Sequence, residues 1–263
     1  TENGQLNSKK ALADLKKKTF GGWPAKSGEL KIKKAFGIRH NRVRFAAYDF
    51  DSQKEVRLRI YVAHHEKLKD VSDIHIEVLA EEEWHKYLQL GRPAFAEVWD
   101  EELKLAGIQA DTPVTDKMRQ ALDKQLGHVR DHPGEVYITF MPRGAGLTVL
   151  TDNERHNTQA RRRFMLLGQT MAGMQVWDVR RCLQATRTLP GFGKAPFRLW
   201  GKGDMASVVS LASLYEPSIG KLNLTDYPKN DKEQPDYLNI SRIITPRQIL
   251  DLAARRTKVD LQD

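Results

Sequence analysis

A glycine-rich segment between a short apolar run and a helical pattern bears most directly on chemistry in this sequence. Residues 197–209 read FRLWGKGDMASVV, which predicts a buried strand turning sharply into a helix. Turns of the G-x-S-x-G type hold a nucleophile in a strained conformation between small neighbours. The aligned residues here run from Gly201 to Met205 and read GKGDM, so Gly203 stands in the serine position. We therefore predict a degenerate nucleophile elbow at Gly201, Gly203 and Asp204, with no reactive group at its centre.

The order of the histidines supports the same expectation. The sequence has eight histidines, and the last one, His156, precedes the elbow. Enzymes that use such an elbow carry their triad in the order serine, acid, histidine along the chain. This chain alone is expected to lack that triad, so we predict no catalytic residue in it.

Asp204 has two interpretations of its own. As a nucleophile it would need small neighbours two positions away on each side, and Lys202 would crowd the turn. As the N-cap of the following helix, its carboxylate would accept backbone N–H bonds at the positive end of the helix dipole. We prefer the N-cap interpretation.

The same glycines allow a dinucleotide site. Gly201, Gly203 and Ala206 match the pattern G-x-G-x-x-A, and Asp226 follows at about the spacing of a ribose-binding acid. Such a fingerprint is expected on the first strand of a nucleotide-binding unit, and little chain follows Asp226. We keep this as an alternative and predict no cofactor.

Composition sets broad limits. The chain has 263 residues, 40% hydrophobic and 29% charged, with a net charge of +9. No apolar run approaches the length that spans a bilayer, so no membrane partner is expected. The basic residues cluster only near the N-terminus and at Arg161–Arg163, which is typical of solvated faces and makes nucleic acid an unfavoured partner. Histidines such as His64, His65 and His75 lack metal-ligand spacing, so we predict no metal site.

Hydrophobic periodicity gives the order of elements. A basic N-terminal helix and a hinge over 1–24 precede a domain over 25–263, which carries a partly helical insertion at 91–133. Within the domain the pattern predicts a hairpin over 42–64, strands at 74–78, 136–140, 197–200, 221–225 and 258–261, and helices at 81–90, 164–189, 204–215 and 246–256. This order predicts an α/β fold: a doubly wound, mostly parallel sheet with helices on both faces, preceded by an antiparallel hairpin and the N-terminal helix.

Three segments make the pattern more specific. The run Pro142-Arg143-Gly144 follows a strand, residues 163–180 read RFMLLGQTMAGMQVWDVR, and the elbow comes next. Together with residues 237–255, they resemble the acetyl xylan esterase and dienelactone hydrolase branch of the α/β-hydrolases. The resemblance implies an α/β-hydrolase fold, with a loop at Arg143 and Gly144 bordering the crevice where ligands bind. We predict that Asp178 forms an ion pair with Arg180 and Arg181 on the helix surface, although the resembling enzymes place an Asp here next to the sheet.

The resemblance and the missing serine lead to one functional hypothesis and one main alternative. The hypothesis is a non-catalytic or residual domain of a larger carbohydrate-esterase-like protein, acting in substrate binding or scaffolding. The alternative is an active carboxylic ester hydrolase, acetyl xylan esterase-like, whose catalytic residues come from an associated chain or a non-standard site. The expected partners are therefore a catalytic hydrolase domain or chain and a polysaccharide ligand, and the resemblance favours a periplasmic or secreted location.

Overall fold

The computed structural model describes residues 7–109, 113–150 and 153–262. Eight strands lie in these ranges: β1 Lys33–His40, β2 Val43–Gln53, β3 Val56–His65, β4 Asp73–Val78, β5 Glu135–Phe140, β6 Phe197–Lys202, β7 Ile219–Thr225 and β8 Lys258–Gln262. The α-helices there are α1 Ser8–Asp14, α2 Glu81–Phe95, α3 Asp100–Leu105, α4 Asp116–Asp131, α5 Glu154–Leu166, α6 Met171–Thr188, α7 Asp204–Ser213 and α8 Pro246–Ala254.

The strands form one mixed sheet in the order β1-β2-β3-β5-β4-β6-β7-β8. Strands β1, β2 and β3 are antiparallel, and β3 pairs antiparallel with β5. From β5 to β8 all pairings are parallel, with Ile76 of β4 opposite Ile138 on one side and Leu199 on the other. These residues are fully or almost fully buried, as expected for parallel strands covered on both faces. The predicted fold class is confirmed.

Two apolar layers fill the space between the sheet and its helices. One lies under α2, α3 and α4, where Trp84, Leu103 and Leu126 pack in one cluster with Tyr61. The other lies under α6, α7 and α8, where the buried residues Val176, Val208 and Ile249 belong to a second cluster, which Leu15 extends toward the N-terminus. Within the described ranges, no helix combines the length and apolar character needed to cross a membrane.

The predicted helix over 164–189 is two helices in the structure. Gly168 has φ 69°, a left-handed conformation that ends α5, and Thr170 then caps α6 by accepting the Gly173 N–H at 3.0 Å. Leu167, one of the apolar residues at helical spacing in this segment, lies between the two helices and is 72% exposed. Apolar residues keep their helical spacing on both sides of the break, so the spacing alone did not reveal that Gly168 ends one helix and Thr170 begins the next.

Residues 91–133 connect β4 to the neighbouring parallel strand β5. The segment holds the end of α2 together with α3 and α4, and its apolar side chains pack under the sheet. At the N-terminus, Trp23 stacks on Phe20 at 4.4 Å and donates its indole N–H to the Gly173 carbonyl at 2.8 Å. The predicted division into 1–24 and 25–263, with an insertion at 91–133, stays a prediction.

Candidate functional site

The elbow joins the carboxyl end of β6 to α7. Gly203 is the N-cap of α7, with φ 55° and ψ −121°, and its N–H donates to the Thr225 carbonyl of β7 at 3.0 Å. A side chain at this position would meet no atom within 4 Å. The backbone therefore has the strained conformation expected of a nucleophile position, and the space for a side chain is open.

Gly201 is required by close packing rather than by its dihedral angles. A Cβ atom on Gly201 would lie 2.6 Å from the Met205 carbonyl oxygen and 2.9 Å from the Ala206 nitrogen. These are backbone atoms of α7, so only glycine lets the helix approach the strand this closely. Close packing of α7 against β6 is therefore enough to explain why the first residue of the G-x-G-x-x-A pattern is glycine. No bound pyrophosphate is needed to explain it.

Asp204 differs from its predicted role. It is the first residue of α7, Gly203 occupies the N-cap, and no side chain caps this helix end. The prediction that Asp204 is the N-cap is therefore wrong, because the turn places the strained residue directly before the helix. Partial burial raises the pKa of the Asp204 carboxyl above its ordinary value, and the nearby charge of Asp236 raises it further.

A crevice of about 500 Å³ opens at the carboxyl ends of β4, β5 and β6. Gly144 lines it from the loop after β5, and Asp204 and Met205 line it from α7. Its other polar or flexible lining residues include Glu81, Asn157, Arg161, Met165, Thr170, Gln175, Gln234 and Asp236. Gly144 lies at the wall of this crevice. Its predicted role in ligand binding stays a prediction.

Arg143 lies beside this crevice and holds a buried ion pair. Its guanidinium donates to both carboxylate oxygens of Asp178 at 2.7 Å, and its backbone N–H donates to the same carboxylate at 3.0 Å. Asp178 is fully buried and also accepts from the Ser52 hydroxyl at 2.5 Å, while Gln53 accepts from Arg143 at 3.2 Å. Two donors on one guanidinium and one planar acceptor make this a rigid bidentate pair.

This pair changes two interpretations. The predicted surface pairing of Asp178 with Arg180 and Arg181 is wrong, because Asp178 is on the inward face of α6 and Arg180 pairs with Glu216 at 2.8 Å. The Arg143 side chain, predicted to border the crevice, instead binds Asp178 and holds the loop that follows β5. The resemblance placed an Asp here next to the sheet, but the sequence did not give its partner, because Arg143 follows β5 and Asp178 lies on α6.

The comparisons with known proteins bear on the fold. No protein-family model matches the sequence, and no curated protein sequence is detectably similar to it. A protein of Bacteroides fragilis described as an acetyl xylan esterase matches with a TM-score of 0.65 at 13% identity, over 97% of this chain and 66% of that chain. The glucuronoyl esterase of Solibacter usitatus matches with a TM-score of 0.62 at 9% identity, over 97% and 73%. Acetyl xylan esterase 1 of Thermoanaerobacterium matches with a TM-score of 0.52 at 9% identity, over 97% and 86%.

The chain has an α/β-hydrolase fold. Its structural neighbours are carbohydrate esterases, and it spans 66% of the length of the first of them. At such low identity the likeness establishes the fold and not the activity.

The fold assigns a second task to the residue after the nucleophile position. In α/β-hydrolases, the backbone N–H of that residue helps to bind the oxyanion of the tetrahedral intermediate. Here that residue is Asp204, which carries a carboxylate and lines the crevice. An anionic side chain would repel the developing negative charge. No histidine is among the described residues that line the crevice.

Proposed function

We propose that this chain is a non-catalytic, residual α/β-hydrolase-like domain that binds a carbohydrate ligand in its crevice. The single observation that carries the proposal is Gly203. The turn at Gly203 keeps the strained conformation of a nucleophile elbow, yet the residue offers no side chain. This conformation is strained for a residue with a side chain but accessible to glycine, so a turn of nucleophile-elbow shape without a nucleophile is consistent with an architecture used for binding.

The composition of the crevice supports a carbohydrate. Sugars present hydroxyl groups that bind carboxylates, amides and guanidinium groups, and apolar faces that pack on aliphatic side chains. The crevice offers Asp204, Asp236, Arg161 and Gln175 among its polar groups, with Met171 as part of its apolar wall. Because acetyl xylan esterases share the fold, xylan fragments are the first ligand to test.

Binding and turnover are measured separately to test the proposal. Xylo-oligosaccharides, acetylated and unsubstituted, are titrated into the whole chain and followed by calorimetry and by amide chemical shifts. We expect saturable binding that Asp236→Ala weakens, because Asp236 lines the crevice. Asp226→Ala is the control and should leave binding unchanged. Asp226 follows β7, pairs with Lys202 at 3.5 Å and is not among the described residues that line the crevice.

Turnover of a chromogenic acetate ester should remain at the uncatalysed rate in the same preparation. A fluorophosphonate probe should label no serine of the chain, because none occupies the elbow. Stoichiometric labelling of Ser207 or Ser210 would contradict the proposal. If no oligosaccharide binds and turnover stays at background, the proposal of carbohydrate binding is wrong. A role in scaffolding a partner chain would then be the remaining hypothesis.

The open space above Gly203 favours one second candidate. A catalytic hydrolase domain or chain could place its own groups there, giving an active carboxylic ester hydrolase assembled from two parts. This alternative predicts ester turnover only when the partner is present. Turnover by the mixture that exceeds the sum of the separate components, and that is lost with a bulky Gly203→Phe variant, would favour it.

A further inference from the structure

The amino end of the sheet, opposite the elbow, gathers side chains that the proposed function does not use. His128 and His132 are four residues apart near the end of α4, and Glu135 is the first residue of β5. Ligand atoms of these three side chains all lie within 4.8 Å of one another. Because β4, β5 and β6 are parallel and Gly203 follows the last residue of β6, the cluster and the elbow lie at opposite ends of the strands.

A tight turn brings the carboxylate back under the helix. The Glu135 N–H donates to the His132 carbonyl at 3.0 Å across Pro133 and Gly134. The Gly134 carbonyl in turn accepts from the Ser72 backbone N–H at 2.8 Å and from its hydroxyl at 3.0 Å. Residues four apart on a helix present their side chains on one face, so the turn completes a three-sided arrangement.

Neighbouring groups orient two of the three side chains, His132 and Glu135, in the manner of metal ligands. The His132 Nδ1 atom lies 2.8 Å from the His128 carbonyl, so the protonated Nδ1 donates there and the other ring nitrogen keeps its lone pair. The Tyr137 hydroxyl donates to Glu135. Metal-binding imidazoles and carboxylates are held in this manner by carbonyl acceptors and hydrogen-bond donors behind them.

A third imidazole, His75, lies next to the cluster. His75 Nε2 lies 3.0 Å from a Glu135 carboxylate oxygen, an ion-pair distance if the ring is protonated, but this buried nitrogen makes no hydrogen bond of good geometry to the described residues. Buried polar atoms are nearly always satisfied, so an orphaned nitrogen beside a carboxylate is consistent with a ligand that the protein atoms alone do not supply.

We propose that His128, His132 and Glu135 bind a divalent transition-metal ion of the zinc class. Two imidazoles and one carboxylate form a donor set that Zn²⁺ uses, with a fourth position left for water or for His75. Mg²⁺ and Ca²⁺ prefer oxygen ligands, so the two imidazoles select against them. The site lies away from the crevice and therefore does not act on a ligand bound there.

The test uses the untagged whole chain and Zn²⁺ in a competition titration with a chelator. We expect one ion per chain with a dissociation constant in the micromolar range or tighter, and no detectable competition by millimolar Mg²⁺. His128→Ala, His132→Ala and Glu135→Gln should each weaken Zn²⁺ binding at least tenfold. Asp131→Asn, which changes an exposed carboxylate directly beside His132, is the matched control and should leave binding unchanged.

A second measurement does not depend on the folding of any variant. Side-chain nitrogen signals of the wild-type histidines are recorded during the same Zn²⁺ titration. We expect the signals of His128 and His132 to shift first, while those of His40 and His156 stay constant. Equal shifts at all histidines, no binding below millimolar Zn²⁺, or full affinity in His128→Ala and His132→Ala would each overturn the proposal.

Discussion

The two ends of the parallel strands use their charged residues in opposite ways. At the carboxyl end, Arg143 and Asp178 are buried against each other and hold the loop beside the crevice, while the elbow itself carries only Gly203. At the amino end, His128 is exposed and lies beside His132, where it makes ring contacts but no structural ion pair among the described residues. The ion pair at the carboxyl end is therefore buried and maintains the fold, whereas the exposed imidazole of His128 at the amino end is accessible to a ligand.

This contrast shows why the usual location of activity in the fold is a weak guide here. The turn at Gly203 has the backbone conformation expected of a nucleophile elbow, but Arg143 is held by Asp178, and Asp204 carries the wrong charge to stabilise an oxyanion. At the other end, the imidazoles proposed to bind a metal ion lie outside the apolar core. Substitutions at the two ends should therefore affect different properties.

The largest expected effect is the loss of the buried acid. Asp178→Ala leaves the Arg143 guanidinium buried without its partner, and breaking such a pair costs about 3 to 5 kcal/mol of unfolding free energy. Chemical denaturation with CD detection measures this loss. At the amino end, His128→Ala should change stability by less than about 0.5 kcal/mol, because it removes an exposed side chain.

A double variant separates the charge effect from packing. The double variant Arg143→Met, Asp178→Leu removes both charges and fills most of the space of the two side chains with apolar groups. It should therefore unfold with a higher free energy than Asp178→Ala alone. If Asp178→Ala proved as mild as His128→Ala, the carboxyl end would not depend on this pair and the contrast between the two ends would fail.

Next in size is the close approach of α7 to β6. Gly201→Ala places a Cβ atom 2.6 Å from the Met205 carbonyl oxygen, so the helix must move. We expect a loss of about 2 kcal/mol, within the range for overpacking. Gly193→Ala is the matched control, because a Cβ there meets nothing within 4 Å, and it should be neutral or slightly stabilising. Equal melting temperatures for the two variants would show that the elbow is not tightly packed.

The sequence predicted the central fold well because buried strands leave a strong periodic signal. Strands β2 to β8 and the sharp turn after β6 were recognisable from alternating or continuous apolar runs. Strand β1 was missed, since Lys33–His40 is an edge strand with mostly exposed residues and only Phe36 and Ile38 to mark it. Helix α2 was predicted to end at 90, but it runs to Phe95 through Pro93.

Local sequence could not predict the pairings that depend on distant elements. The predicted helix ended before Gly91, yet this glycine lies inside α2 and is needed because the Trp99 ring packs where its Cβ would be, at 2.4 Å. Asp178 and Arg143 are 35 residues apart, and Ser52, near the end of β2, is 126 residues before Asp178. The histidine pair near the end of α4 became meaningful only when the turn at 132–135 brought Glu135 beneath it.

Gly203 gives a smaller effect that probes the strained turn. Its φ of 55° suits glycine, while the space around it is open, so Gly203→Ala and Gly203→Ser should each cost about 1 to 2 kcal/mol through the backbone alone. Gly203→Ser should leave ester turnover at background, because no histidine lines the described crevice. Thermal unfolding and a chromogenic ester assay check both parts.

Strong turnover by Gly203→Ser would reveal a base within reach of the elbow. His156 of α5 would then be the first residue to replace, because His128 and His132 lie at the other end of the strands. That result would restore catalytic capacity to the carboxyl end and overturn the division between the two ends.

The smallest effect concerns the pH dependence of Asp204. The positive end of the α7 dipole favours its carboxylate, but burial and the charge of Asp236 disfavour it, and the raised pKa shows that the second pair of effects dominates. A carboxyl whose pKa is higher in the folded state than in the unfolded state opposes folding once it is ionised. The penalty is therefore present at neutral pH and disappears as the pH falls through the folded-state pKa.

Asp204→Asn should accordingly raise the unfolding free energy at pH 7, on the order of a few tenths of a kcal/mol because water screens this exposed side chain. The gain should vanish below pH 4, roughly the pKa of an unfolded aspartate. Urea unfolding of both proteins from pH 3 to pH 8 measures the difference. In an Asp236→Asn background the gain should shrink, since the like charge is gone. A loss of stability at pH 7 that shrinks toward low pH would mean that the helix dipole, and not Asp236, controls this carboxylate.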